Sequence, residues 1–169
     1  MKSYVLSVLV KNHSGVLRRV SSLFARRGYN IESLTVGVTE NPKLSRMTVV
    51  VSGDEYIVDQ ITKQVSKLVE ILNVEILDPE TSVFRELVLI KVRTTRSTRA
   101  EILEISNIFR SRVVDVAENS LVLEATGDAN KLKALIRMLE PFTVLEIVRT
   151  GFAAVRPVSY THLTLPTIA

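Results

Sequence analysis

One order of strand and helix signals runs through residues 4–77 and then returns in residues 86–148, and this internal repeat limits the possible folds more than any other feature. In the first copy, residues 4–10 alternate and are rich in β-branched side chains, the pattern of a strand. Val16, Leu17, Val20, Leu23 and Phe24 then recur at helical spacing, and Gly28 stands where a helix C-terminus favours a left-handed residue. Residues 31–38 and 47–51 read as strands joined by the polar turn Thr39-Glu40-Asn41-Pro42-Lys43. Asp54 precedes a helix with Ile57, Val58, Ile61, Val65 and Leu68 on one face, and residues 71–77 close the unit as a strand.

The second copy follows suit. Residues 86–92 read as a strand, and Thr98-Arg99-Ala100-Glu101 has the form of a capping box opening a helix with Ile102, Ile105 and Phe109. Residues 113–116 and 121–125 make a hairpin around Glu118-Asn119. Asp128 starts a helix with Leu132, Leu135, Ile136 and Leu139, soon followed by Pro141, and residues 143–148 are the last strand. Gly53-Asp54 matches Gly127-Asp128, and Phe24 is paired with Phe109. Each half is therefore βαββαβ, a ferredoxin-like unit, and the chain is α+β with two such domains in tandem. The expected boundaries are 1–78 and 84–154, with a linker at 79–83 and a tail at 155–169.

Composition excludes several classes of function. With 46% apolar and 24% charged residues the chain is expected to be globular, and no apolar run approaches the length of a membrane span. Residues 1–4 run straight into strand pattern, so no leader peptide is expected. The absence of cysteine excludes disulfides and thiolate metal sites and fits a cytoplasmic protein. His13 and His162 are too far apart in sequence to suggest a structural zinc site. The net charge of +4 is spread over short pairs, Arg18-Arg19 and Arg26-Arg27, and over Arg96, Arg99, Arg110 and Arg112. Arg18-Arg19 falls opposite the apolar stripe, the usual solvated face. With 5% aromatic residues the stacking surface of a nucleic-acid binder is missing, whereas an acidic protein partner stays open. No Ser-His-Asp set, metal-ligand cluster or Gly-rich phosphate loop occurs, so no catalysis is expected. The Asp54-Glu55 pair is accounted for by the helix macrodipole.

Two polar elements stand out in the first copy, Lys11-Asn12-His13-Ser14-Gly15-Val16-Leu17 and Arg27-Gly28-Tyr29-Asn30-Ile31-Glu32. A helix N-terminus offers unpaired N–H groups to a carboxylate, and asparagine carbonyl oxygens suit an ammonium group. Together they could grip a free amino acid. Taken alone, the first turn reads as a helix cap made by Asn12 and Ser14 before it reads as a site. Gly15 is equally explained by backbone freedom, Asn30 by the start of an edge strand, and Tyr29 by packing. The equivalent turn of the second copy, Arg93-Thr94-Thr95-Arg96-Ser97, lacks these features, so only the first copy is expected to bind a small ligand.

Three runs carry a family resemblance: Asn12-His13-Ser14-Gly15-Val16-Leu17; then residues 22–36, with Arg27-Gly28-Tyr29-Asn30-Ile31-Glu32-Ser33-Leu34-Thr35 at their centre; then Leu44-Ser45-Arg46-Met47-Thr48. Through them the chain resembles the small regulatory subunits of acetolactate synthase over about residues 2–154, including Phe109-Arg110 and Arg149-Thr150-Gly151. The resemblance implies that the first domain is an ACT domain. It also implies a homodimer that binds the large catalytic subunit, activates it and makes it sensitive to valine. Catalysis and its cofactors, thiamine diphosphate, Mg and FAD, would belong to that catalytic subunit. The ligand would lie between the first turn of one protomer and the second strand of its partner, lined by Asn12, Gly15, Val16, Asn30 and Ile31. His13 stands where the family often has an acid. Residues 39–46 are candidate contacts for the catalytic subunit. The alternative is a stand-alone ACT-type sensor for another enzyme or a transcription factor. Acyl-phosphate hydrolases and RNA binders also use ferredoxin-like units. The tail at 157–169 contains no Lys, Arg, Asp or Glu, departs from the family and is expected to be disordered or extraneous.

Overall fold

The computed structural model describes residues 2–158, so the reading of residues 159–169 as part of a tail lies outside the described residues. The chain forms two compact units; Ser33–Val36 group with Phe84–Ala153 in the second, and the other described residues make up the first.

The first repeat comprises β1 (Lys2–Lys11), α1 (Val16–Arg26), β2 (Ile31–Val38), β3 (Leu44–Gly53), α2 (Glu55–Ser66) and β4 (Ile71–Leu77). Its sheet has the order β2-β3-β1-β4. β1 is central and antiparallel to both neighbours, with Leu6 opposite Val49 and Val8 opposite Met47. The period-2 alternation of β1 puts Leu6, Val8 and Val10 on the buried face with Met47, Val49 and Val51. Val16, Val20, Leu23 and Phe24 of α1 and Val58, Ile61 and Val65 of α2 supply the helical share of the buried apolar residues. Burying one such side chain contributes about 1.5–3 kcal/mol. Leu17 fits the helical spacing but lies at the rim of the stripe and is 44% exposed. β3 begins at Leu44, earlier than its apolar run, because Leu44 and Ser45 pair with Lys11 and Val10 whatever their polarity.

The second unit repeats the order with β5 (Val83–Arg93), α3 (Arg99–Ile108), β6 (Arg112–Val116), β7 (Ser120–Gly127), α4 (Ala129–Leu139), a short 3-10 turn (Glu140–Phe142) and β8 (Val144–Arg149). Its sheet order is β6-β7-β5-β8, and a short β9 (Ala153–Val155) pairs with β5. β9 takes in Val155, which the sequence reading assigns to the tail. Val88, Ile90 and Val92 pack with Leu121, Leu123 and Ala125 from β7, Ile102 and Ile105 from α3, and Leu132, Leu135 and Leu139 from α4.

The helix ends show how closely the copies match. After α1, Gly28 (φ 71°) donates its N–H to Ala25 O at 3.2 Å, and Tyr29 N–H donates to Phe24 O at 3.0 Å. This is a Schellman ending, and the edge-on contact of Phe24 with Tyr29, centroids 6.4 Å apart, supplies its apolar clasp. After α3, Arg110 (φ 53°) donates to Asn107 O and Ser111 N–H to Ser106 O at 2.9 Å, the same ending with arginine in the left-handed position. By this geometry Phe24 corresponds to Ser106, and the pairing of Phe24 with Phe109 is corrected: Phe109 is the cap residue, equivalent to Arg27.

The helix starts differ. Asp54 (ψ 172°) and Asp128 (ψ 173°) are extended, and each carboxylate accepts an N–H three residues on, from Ile57 and Lys131, at 2.8 Å. Thr98 is already in the helical region (ψ −16°) and makes no cap. Its hydroxyl accepts from Thr95 N–H instead, at 2.9 Å, so the expected capping box does not form. A cap residue needs extended backbone for its side chain to reach forward. Accordingly, Asp128→Ala should cost about 1 kcal/mol in denaturant unfolding. Glu101→Ala should cost less than about 0.5 kcal/mol, whereas a working capping box would bring the two values together.

Candidate functional site

Residues 12–15 leave the end of β1 and enter α1, and hydrogen bonds fasten them on two sides. Lys11 N–H donates to Glu70 O at 2.9 Å, Asn12 N–H to Lys43 O at 2.7 Å, and Asn12 Nδ2 to Pro42 O at 2.9 Å. A carbonyl only accepts, so this last bond fixes which way the amide points and leaves Oδ1 as an acceptor. No side chain caps α1. The reading of Asn12 and Ser14 as caps is therefore corrected, since Asn12 is engaged with the residue 42–43 turn and Gly15 (φ +89°) occupies the cap position. Nothing lies within 4 Å of where a Gly15 Cβ would stand. An uncapped helix start facing open space has N–H groups free to donate to a carboxylate. Val16 is buried in the core, so only its backbone N–H is on offer.

Asn30 is exposed just before β2, and Ile31, half-buried, begins that strand. Within one chain these two residues do not meet the first turn. β2 and β3 form a hairpin, and β3 is antiparallel to β1, so β1 and β2 run parallel with β3 between them. The turn after β1 lies level with Leu44, at the end of the sheet where Thr39 N–H donates to Leu44 O. Glu32 sits at the other end, where its carboxylate accepts from Ser52 and from Ser3. Eight residue steps along β1 separate these levels, roughly 26 Å at about 3.3 Å per step. Asn12, Gly15 and Val16 form one cluster; Asn30 and Ile31 form another, far beyond the span of an amino acid.

Some residues that shape the first cluster are not evident from the turn itself. Pro42 and Lys43 hold Asn12 through carbonyl groups, which any residue carries and sequence cannot flag. Glu70 is buried and its carboxylate pairs with Arg19, so Arg19 is not simply a solvated charge as its place opposite the apolar stripe implies. The signal available in sequence was a lone acid in Leu68-Val69-Glu70-Ile71-Leu72. Arg46, one of the candidate contacts at 39–46, lies inside β3, where Nη1 donates to the buried Ser7 hydroxyl at 2.7 Å. The second unit's turn is closed on itself. Thr95 and Thr98 bond one another, and Arg99 donates to Ala117 O and Glu118 O at 3.1 and 2.8 Å.

Comparison with known proteins places this geometry in a family. A family model described as the AHAS small subunit-like ACT domain matches residues 6–73, and one described as the small subunit of acetolactate synthase matches residues 85–157. The acetolactate synthase small subunit of Mycobacterium leprae is 51% identical over 151 residues, which cover 89% of this chain and 89% of that protein. This chain belongs to the acetolactate synthase small-subunit family. The small subunit of Mycolicibacterium smegmatis is also 51% identical, over 90% of both chains. The crystal structure of the small subunit from Thermotoga maritima superposes with a TM-score of 0.84 at 43% identity, covering 94% of this chain and 99% of that one. Among the described residues of this small-subunit chain, no helix is long and apolar enough to cross a membrane, and no group of three or more His, Cys, Asp or Glu residues is placed to hold a metal.

Because Gly15 has space around it but a left-handed backbone, Gly15→Ala tests the turn without a steric clash. It should lower stability by about 1–2 kcal/mol in thermal unfolding, the expected strain of an L-residue in that region. No change in stability would mean that the turn relaxes to another conformation.

Proposed function

We propose that this chain is the regulatory subunit of an acetolactate synthase, without catalytic activity of its own. It binds the catalytic subunit, raises its activity and confers feedback inhibition by valine in branched-chain amino acid synthesis. Thiamine diphosphate, Mg and FAD are assigned to the catalytic partner, and the pair to the cytoplasm.

The observation that carries the reading is the separation of the two polar clusters. A ligand gripped by both must lie between two chains. β2 is the edge strand, with Val36 and Val38 exposed and no proline or lysine within it. Pairing β2 with its copy across a two-fold axis runs the strands antiparallel. Asn30 and Ile31 of one protomer then approach the end of the sheet where residues 12–15 of its partner lie, and two equivalent sites result. In each, the α1 N-terminus and Gly15 take the valine carboxylate, Asn12 Oδ1 and Asn30 take the ammonium, and Ile31 packs on the side chain. Valine then regulates by binding one arrangement of the complex better than another, and typical couplings of about 1–3 kcal/mol correspond to roughly 5–150-fold in affinity.

Three measurements test this. Sedimentation of the intact chain should give a dimer at micromolar concentration, and a clean monomer there would oppose it. The isolated chain should not condense pyruvate, and should raise the rate of a matching catalytic subunit. Asn30→Ala should weaken valine binding by about 1.5–3 kcal/mol in calorimetry while leaving activation intact. Gly15→Asp, which places a negative charge where the carboxylate sits, should weaken it further. Normal valine inhibition in both folded, dimeric variants would show the site to be misassigned.

A further inference from the structure

Glu70 is a buried carboxylate with no part in ligand contact as proposed above. It precedes β4, 8% exposed, in an otherwise apolar run. Its main chain and its side chain reach the two ends of the turn at residues 12–15. Glu70 O accepts from the N–H of Lys11, the last residue of β1, at 2.9 Å. Its Oε1 accepts from Arg19 Nη1, and Arg19 lies on α1, where its own N–H donates to Gly15 O at 3.1 Å. One residue thus holds the strand end and the helix start on either side of Gly15.

The energetics argue that this arrangement serves more than the stability of the core. A buried carboxylate loses its hydration and regains it only through good pairing, and here Oε2 is buried without a hydrogen-bond partner. An apolar residue at position 70 would avoid that penalty. What an apolar residue lacks is a direction. The Arg19 side chain, 63% exposed, enters from solvent, and the ion pair links α1 to the residue whose main chain is bonded to the end of β1. The hydrogen bonds from Asn12 to residues 42 and 43 fasten the other side of the turn.

We infer that Glu70, through Arg19, is a positioning residue for the ligand turn: it sets the α1 N-terminus at the distance from β1 at which Gly15 and the following N–H groups receive a carboxylate. This inference rests on the proposed amino-acid site. Glu70 itself touches no ligand.

The test uses the intact chain with Glu70→Gln, with Arg19→Gln, and with both. Arg19→Gln alters the exposed partner and so keeps the experiment open if Glu70→Gln folds poorly. Hydrogen exchange of the bonded amides at positions 11, 12 and 19, which donate to Glu70 O, Lys43 O and Gly15 O, should quicken about fivefold or more in each variant, while amides of the second unit stay unchanged. Valine binding by calorimetry, read well below the unfolding midpoint, should weaken about tenfold, with the double variant no worse than the worse single one because the pair acts as a unit. A purely stabilising role would lower the unfolding midpoint and leave the affinity of the folded chain unchanged, and that outcome overturns the inference. So does unchanged exchange at positions 11, 12 and 19. If the unmodified chain binds no valine, the proposed function falls, while the exchange data still decide whether Glu70 holds the turn.

Discussion

Strand β1 is hydrogen-bonded to β3 on one side and to β4 on the other, with Leu6 set opposite Val49 and Val8 opposite Met47. A one-residue slip would carry Leu6, Val8 and Val10 out of the core, so the hydrophobic pattern enforces this register. The register determines where β1 ends, and with it the position of Asn12, Gly15 and the start of α1. The same sheet order places β3 between β1 and β2, so Asn30 opens at the far end. The placement of the two polar clusters therefore follows from core packing. The proposed site, which needs both clusters at once, would require two such sheets to pair.

The two halves of the chain show what a shared scaffold leaves free to change. Both carry the same strand order, the same Gly-Asp entry to the second helix and the same Schellman ending after the first. They diverge at the turn between the first strand and the first helix. In the first unit Gly15 leaves the helix start without a side-chain cap and open. In the second, Thr95, Thr98 and Arg99 bond their neighbours and the turn of residues 117–118, using up the groups that a ligand would need. A closed turn of this kind suits a unit whose work is packing or docking.

Element types and order were legible because burial imposes period 2 on strands and a helical period on helices, and most residues placed on the helical stripes are buried, with Ile57, Leu68, Phe109 and Ile136 half-buried. Leu17 is an exception: it fits the helical stripe, yet lies at its rim and stays 44% exposed. Thr98-x-x-Glu101 misled because a capping box depends on the backbone of its first residue, and the hydroxyl cluster with Thr95 holds Thr98 in the helical region. The turn residues were identifiable by type, but their anchors were not. Asn12 is held by carbonyl groups, and Glu70 reaches Arg19 across 51 positions of sequence. The distance between Asn12 and Asn30 was likewise invisible until the sheet order was known.

The central claim is that each ligand site draws its turn from one chain and its Asn30 from another. Chains carrying Asn30→Ala and chains carrying Gly15→Asp should each bind valine at least about tenfold more weakly than wild type as pure homodimers. Refolded together, they should regain binding, because each mixed dimer contains one site with both defects and one with neither. Random pairing of two equally stable chains predicts about a quarter of the wild-type number of sites, with wild-type affinity in calorimetry. If the mixture has no sites of wild-type affinity while mixed dimers are shown to form, the site does not span two chains.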